Sequence, residues 1–411
     1  MASFSIPLSG LQASSSDLDV IGNNLANLNT DGYKTQTMSF GDVFAQMQST
    51  SGNGDPIQIG SGVTVEGTSS EFTDGAVSST GIASNMALQG NGYFVVSNNG
   101  VPSYTRDGDF SVNSAGQLTT AGGALVMGYP ASNGVVTGTG ALVPIDVDQS
   151  NTVPAVATTS FGVDANLDSA SAVGTAYDTP VTLYDSLGTT QTLTVQYTNM
   201  GSNTWDYSIT LPGSATGSST PTTVGTGTLT FDSSGQLTSP SGSVTGLAIT
   251  GLSDGAANMN LTWNLDGSTG TPTITQENSA SATTTTTQNG FGGGTLTGYT
   301  VLSDGTVQGQ YSNGQNLALG QVAVANFENP QGLNQGADGT EQATSASGAA
   351  VIGDAGLGGL GTITGGSVEA SNVDLSTQFA NMIVAQQSYD ANAKVLTTLD
   401  QVDQSTIQMV S

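Results

Sequence analysis

The segment IGNNLANLNTDGYK, Ile21 to Lys34, sets Asn23, Asn24, Asn27 and Asn29 among leucines spaced for a helix. Asparagine is a weak helix former because its amide competes for nearby backbone groups. A helix that carries so many amides beside an apolar stripe needs partners to satisfy them. Upstream, Leu11, Leu18 and Leu25 recur every seven residues, with Ile21 and Leu28 between them, which is an a/d heptad seam. Pro7 stands near the start, where proline is tolerated, and Asp31-Gly32 supplies a stop. The spacing predicts a helix from about Leu8 to Asn29, roughly 33 Å long.

The other end repeats the pattern. In SNVDLSTQFANMIVAQQSYDANAKVLTTLDQVDQSTIQMV, Ser371 to Val410, the residues Leu375, Met382, Tyr389 and Leu396 lie seven apart, with Phe379 and Ala393 at intermediate positions. The seam continues through Leu399, Val402 and Met409, and Ser371 is the expected N-cap. Helical to Met409, this segment spans roughly 58 Å, more than one small domain needs.

Between the ends, glycine and threonine take over. Met86 to Tyr129, Thr179 to Leu211 and Gly294 to Phe327 read as short alternating strands with Asn-Gly and Asp-Gly turns. Asp107-Gly108 reads as one such turn, and the threonine run from Ser281 to Gly294 as a connector. The expected fold is mainly β with α-helical termini, multidomain and nested. The N- and C-terminal helices form a coiled-coil inner domain and two β-rich domains lie outside it. The domain limits on this reading are 1–64 for the N-terminal helix and an extended linker, 65–144 with 285–364 for a discontinuous first β domain, 145–284 for a second β domain inserted in it, and 365–411 for the C-terminal helix.

Composition narrows the chemistry. Three basic side chains, Lys34, Arg106 and Lys394, face 31 Asp and Glu, for a net charge of −28. Phosphate-backbone binding needs clustered Lys and Arg, so nucleic acid is not an expected partner, and anionic membrane surfaces are disfavoured too. Five acids against one lysine leave residues 1–60 and 365–411 at −4 each, so the acidity concentrates in the β regions at −20. Near pH 3 only three side-chain cations remain to repel, which predicts tolerance of acid. With no Cys and no His, disulfides, thiolate catalysis and ordinary zinc sites are gone. Missing Cys is ordinary bacterial usage, and it also suits an extracellular protein exported unfolded through a narrow channel. The N-terminus lacks a basic n-region and an unbroken apolar run, so it does not read as a secretory signal, and no run is long enough to span a membrane.

Candidate active-site patterns are thin. Gly356, Gly358 and Gly361 match G-x-G-x-x-G, but follow no expected strand and open no helix, so a glycine-rich junction is the better reading. RDGDF at Arg106 to Phe110 and DVDQS at Asp146 to Ser150 pair carboxylates without the rest of a calcium loop. Two tryptophans, Trp205 and Trp263, are a thin supply for a sugar cleft. No cofactor and no metal is expected.

Leu8 to Val43, running through GNNLANLNTDGYK, resembles the N-terminal signature of the bacterial flagellar rod and hook family of axial proteins. Glu369 to Val402, with SNVDL, MI and QQSYDAN, resembles the family's C-terminal half. Internally, LQGNGYFVV and YTRDGDFSVNSAGQL resemble the β domain shared by rod and hook members, while VTLYDSLGTTQTLTVQY, YSNGQ and VAVANFENPQGLNQ resemble the hook branch. The likeness covers most of 1–144 and 285–411. The chain departs from the pattern in its scarce Lys and Arg and in an apolar residue at Leu28.

The resemblance implies a structural, non-enzymatic subunit that stacks helically into an extracellular tube coupling rod to filament. It implies partners: other copies of itself, the distal rod, a hook cap, hook–filament junction and length-control proteins, and the flagellar type III export apparatus. It assigns the contacts between subunits to Leu11, Leu18, Ile21, Asn23, Asn24, Leu25, Asn27, Leu28 and Tyr33 at one end, and to Asn372, Val373, Leu375, Phe379, Met382, Ile383, Tyr389 and Leu396 at the other. The asparagines are expected to pair across subunits and fix register. A distal rod protein, disfavoured by length, a secreted β-rich adhesin and a glycan-acting enzyme are the alternatives.

Overall fold

The computed structural model describes residues 4–43, 46–50, 56–138, 140–148, 151–267 and 270–410. The fold is mainly β with a helix at each end: α1, Ser5–Ala26, and α2, Leu375–Val410. The chain divides into two compact units, the first Met1–Gln149, Gly298–Gln310 and Asn316–Ser411, the second Ser150–Thr297 and Tyr311–Gln315.

In the first unit α1 and α2 pack against each other. A Cβ on Gly10 would come within 2.8 Å of the Asn392 side chain, while Asn24 meets Gln378. Those pairs run in opposite sequence directions, so the helices are antiparallel. The buried line on α1 is Ala13, Ser14, Ile21 and Asn24, and on α2 it is Gln378 and Ala385. This shifts the seam from the heptads of the sequence. Leu11, Leu18, Leu25 and Leu28 are half-buried flanks, as are Met382 and Leu396, while Leu375, Phe379, Ile383 and Tyr389 are exposed. The cause is size: Gly10, Ala13, Ser14 and Ala385 let the backbones approach closely, and the large side chains straddle the contact instead of filling it.

The helix ends also differ from the sequence reading. Asn27 Nδ2 donates to the Asn23 carbonyl oxygen at 2.9 Å, and α1 stops at Ala26 instead of continuing to Asn29. At α2 the cap is Asp374, not Ser371: its Oδ1 accepts the Thr377 N–H at 2.6 Å. That bond holds the Asp374 carboxyl below the usual carboxylate range.

Beyond α1, Gln36–Asp42 pairs antiparallel with Val63–Ser70, and Gln46–Thr50 with Pro56–Ile59. The β part of this unit is built around Asn316–Asn326, which pairs with both Leu125–Ser132 and Tyr93–Asn98. Alternation puts Met86, Leu88, Phe94, Val96, Phe110, Leu118, Val126, Val322, Val324 and Ile363 into one core. The approach to α2 is sewn to the N-terminal half strand by strand: Thr362–Gly365 pairs with Met86–Gln89, and Ser367–Glu369 with Val77–Ser79. That register delivers Glu369 to the foot of α1.

Two turn readings need correction. Asp107-Gly108 is no hairpin turn: the Met86 N–H donates to the Gly108 carbonyl at 3.0 Å, and a Cβ on Gly108 would strike the Met86 oxygen. Glycine is needed there for close approach. Gly356 to Gly361 does follow a short strand, Val351–Asp354, and turns back into Thr362–Gly365. Gly356 and Gly358 take positive φ there, as a turn requires.

The second unit holds two sheets. One is a meander of Ala176–Tyr184, Thr190–Gly201, Thr204–Leu211, Thr222–Phe231 and Leu237–Ser239. In the other, Ser160–Asp168 runs parallel to Met259–Asn264 and to Ile274–Glu277. The threonine run is not a connector: Ala282–Gln288 is a strand antiparallel to Ser160–Asp168, as β-branched residues favour. Inward residues of both sheets share a core that includes Phe161, Leu193, Val195, Tyr197, Trp205, Ile209, Leu229 and Trp263. Phe161 and Trp263 stack at 6.1 Å between ring centroids, so both tryptophans serve packing.

Candidate functional site

The amides of the opening segment make a turn. Asn24 is buried. Its Nδ2 donates to the Gln36 carbonyl at 2.8 Å and to Gln378 Oε1 at 3.2 Å. Its Oδ1 accepts the Gln36 N–H at 2.9 Å and the Tyr33 hydroxyl at 3.0 Å. One side chain thus pairs with the backbone of Gln36 as a neighbouring strand would, and ties the end of α1 to α2. Asn23 Nδ2 donates to Tyr33 Oη at 3.2 Å, and Thr30 Oγ1 to Asn27 Oδ1 at 3.0 Å. The expected pairing of Asn24 across subunits is therefore corrected: all of its hydrogen-bonding capacity is used within the chain.

Asn372 does the same work from the other side. Its Oδ1 accepts both the N–H and the hydroxyl of Thr35 at 2.7 Å. Its Nδ2 donates to the carbonyls of Glu71 and Thr73 at 2.8 and 3.0 Å. Beside it Val373 is buried. The NNLAN…GYK and SNVDL segments therefore meet in one subunit, as two halves of one joint.

At its centre two of the three basic side chains converge on one carboxylate. Lys34 Nζ lies 2.6 Å from Glu369 Oε1, and Arg106 Nη1 lies 3.5 Å from Glu369 Oε2. Glu369 is 1% exposed, Arg106 6% and Lys34 8%. Glu369 Oε1 also accepts the Gly75 N–H at 2.8 Å, and Lys34 Nζ donates to the Thr73 carbonyl at 2.9 Å. Arg106 Nη2 donates to the Gly90 carbonyl at 2.7 Å, and its guanidinium carbon stands 5.4 Å from the Tyr93 ring centroid. Asp74 approaches Arg106 Nη1 at 3.6 Å and accepts the Gly90 N–H at 2.8 Å.

A cavity of about 250 Å³ opens beside this cluster, lined among others by Asn23, Tyr33, Lys34, Arg106, Asp107 and Glu341. Burial pushes the Glu341 carboxyl up to about 7, with Arg106 pulling against it. Burial raises Asp107 as well, opposed by the hydrogen bond from the Asp109 N–H and helped by the charges of Asp31 and Asp109. Burial also raises the Tyr93 hydroxyl, with Glu341 adding to it and Arg106 opposing.

Asn24, Tyr33, Asn372 and Val373, expected from the sequence at contacts between subunits, lie in this joint within one chain. Glu369, Arg106, Glu341 and Gln378 were not among the expected site residues. The scarcity of cations was the available signal, because a buried Lys or Arg in so acidic a chain must find a carboxylate. Among the described residues no group of three or more acidic side chains is placed to hold a metal ion. No described helix is long and apolar enough to cross a membrane.

Along its length the chain matches family models of the flagellar axial proteins. The model of the flagella basal body rod protein matches residues 6–34, and that of the flagellar basal body rod FlgEFG protein C-terminal matches 364–409. Between them, the flagellar hook protein FlgE/F/G D1 domain matches 87–166 and the flagellar basal body protein FlaE D2 domain 147–291. The chain is 36% identical to the flagellar hook protein FlgE of Escherichia coli K12, over 97% of this chain and 98% of that protein. It is 33% identical to the flagellar hook protein FlgE of Borreliella burgdorferi over 98% of each. The crystal structure of Helicobacter pylori flagellar hook protein FlgE2 shares the fold at a TM-score of 0.54 and 16% identity, covering 70% of this chain and 98% of that one. The chain belongs to the flagellar hook protein FlgE family and is a structural protein of the flagellar hook, outside the cell.

Proposed function

We propose that the chain polymerises with copies of itself, through the outward faces of α1 and α2, into the tube of the hook. The observation that carries this is an apolar stripe on α2 turned away from α1. Leu375, Phe379 and Ile383, each four residues from the next, are 42%, 48% and 54% exposed. Val384, Val395, Val402 and Ile407 extend the apolar exposure along the helix. A monomer gains nothing by leaving such a face in water; a helical polymer covers it in every subunit. The buried joint supports the reading, since it ties the helices to the β part of the first unit.

On this reading α1 and α2 form the inner layer of the tube, and the β domains are the β part of the first unit and the second unit, Ser150–Thr297 with Tyr311–Gln315. Distal rod, cap, junction, length-control and export components are the partners proposed, on family likeness. A role as structure and not as catalyst fits the scarcity of nucleophile–base pairs in the sequence. The test is Phe379→Asp. Its side chain lies outside the subunit's core, so monomer melting should be unchanged while tubes disappear from electron micrographs of concentrated protein. Normal tubes from this variant would refute the assignment.

A further inference from the structure

Of the three basic side chains, Lys34 and Arg106 are buried in the joint and neutralised there. Lys394 alone is exposed. Its position is not arbitrary: at ~100° per residue, eleven residues bring it back to within roughly 20° of Ile383, on the outward face of α2. Lys394 forms no ion pair within 4 Å among the described residues. Asp390, one turn earlier, is the carboxylate nearest in sequence, and an exposed i,i+4 pair of this kind is weak and screened by salt.

Any second copy that approaches this face carries the same net charge of −28. Between two such chains long-range electrostatics is repulsive, and every other exposed ionisable side chain on the described surface is acidic or a tyrosine. Lys394 is the one basic side chain able to attract a neighbour. We propose that Lys394 pairs with a carboxylate of a second copy and sets the register of the α2 face, so that assembly is otherwise opposed by charge and favoured by salt. This deepens the self-assembly reading above and rests on it.

The experiment measures the critical concentration for polymerisation of the full chain by light scattering and electron microscopy, across a sodium chloride series. It compares the native chain with Lys394→Gln and Lys394→Glu. The native chain should assemble more readily as salt rises. At low salt Lys394→Gln should raise the critical concentration about fivefold, the upper worth of a surface ion pair, and Lys394→Glu more. Near 1 M salt, where the Debye length is about 3 Å, the three should converge. Equal critical concentrations at low salt, or a deficit undiminished at high salt, would overturn the role of Lys394. A native chain that forms no tubes at any salt would instead overturn the self-assembly reading, and this inference with it.

Discussion

Lys34 Nζ and Glu369 Oε1 lie 2.6 Å apart across 335 residues of sequence, and Glu369 holds Arg106 on its other oxygen. Removing one partner of a buried pair leaves an uncompensated charge, at about 3–5 kcal/mol. Glu369 serves two cations and the Gly75 N–H, so Glu369→Ala should lower the stability of the first unit by that order. Lys34→Met should cost less, because Arg106 and the Gly75 amide still serve the carboxylate. Both tryptophans lie in the second unit. Their fluorescence should therefore report an unchanged transition in urea, while far-ultraviolet circular dichroism shows an earlier one. A single unshifted transition by both probes would count against the joint.

Glu341 makes stability depend on pH in a definite direction. Its carboxyl is raised from 4.5 to about 7 by burial, so the folded state holds a proton that the unfolded chain has already released. Its stabilising contribution is complete below about pH 4.5 and is lost as pH rises through 7. Glu341→Gln keeps the neutral form at every pH. It should melt with the native chain at pH 4.5 and above it at pH 8, and identical melting at both values would argue that Glu341 is solvated.

How much of this was legible in the sequence follows from what each signal encodes. Asparagines and heptads at both ends revealed that the termini form helices with partners, and the family likeness gave the class. The seam between α1 and α2 within the chain lies off the heptads, because a heptad of large residues marks apolar content while the closest contact is set by Gly10, Ala13 and Ala385. Asn24 was misassigned because a one-dimensional pattern does not show that Gln36 folds back upon it. The scarcity of cations points to a buried carboxylate without saying which one: the burial of Glu369 depends on the pairing of Ser367–Glu369 with Val77–Ser79, a register decided far away in the chain.

Two glycines in the first unit should respond oppositely to alanine. A Cβ on Gly75 would run into the Ala370 carbonyl oxygen, while Gly22 has nothing within 4 Å. Gly75→Ala should cost about 1–3 kcal/mol, as overpacking against backbone does. Gly22→Ala, inside α1, should stabilise by about 0.5–1 kcal/mol through helix propensity. Thermal melting of the first unit orders the pair, and a neutral Gly75→Ala would mean that the backbone at Ala370 gives way easily.

Trypsin offers the sharpest reading of the joint, since only Lys34, Arg106 and Lys394 present its cleavage sites. Thr35, which follows Lys34, is buried and its N–H is bonded to Asn372 Oδ1 at 2.7 Å. The bond after Arg106 is shielded by the same cluster. Lys394 is exposed, and beyond it α2 leaves Val402, Ile407 and Met409 52%, 69% and 80% exposed. Segments with so few buried contacts open locally at little cost, whereas the joint opens only with the first unit. The native monomer should therefore be cut first after Lys394, releasing residues 395–411, and then resist. Glu369→Ala should add a second early cut after Lys34, because Lys34 loses its carboxylate. In the polymer, the pairing proposed for Lys394 should slow the first cut as well. Mass spectrometry of the fragments decides it: early cleavage after Lys34 in the native monomer, with Lys394 intact, would show that the joint opens more readily than the end of α2.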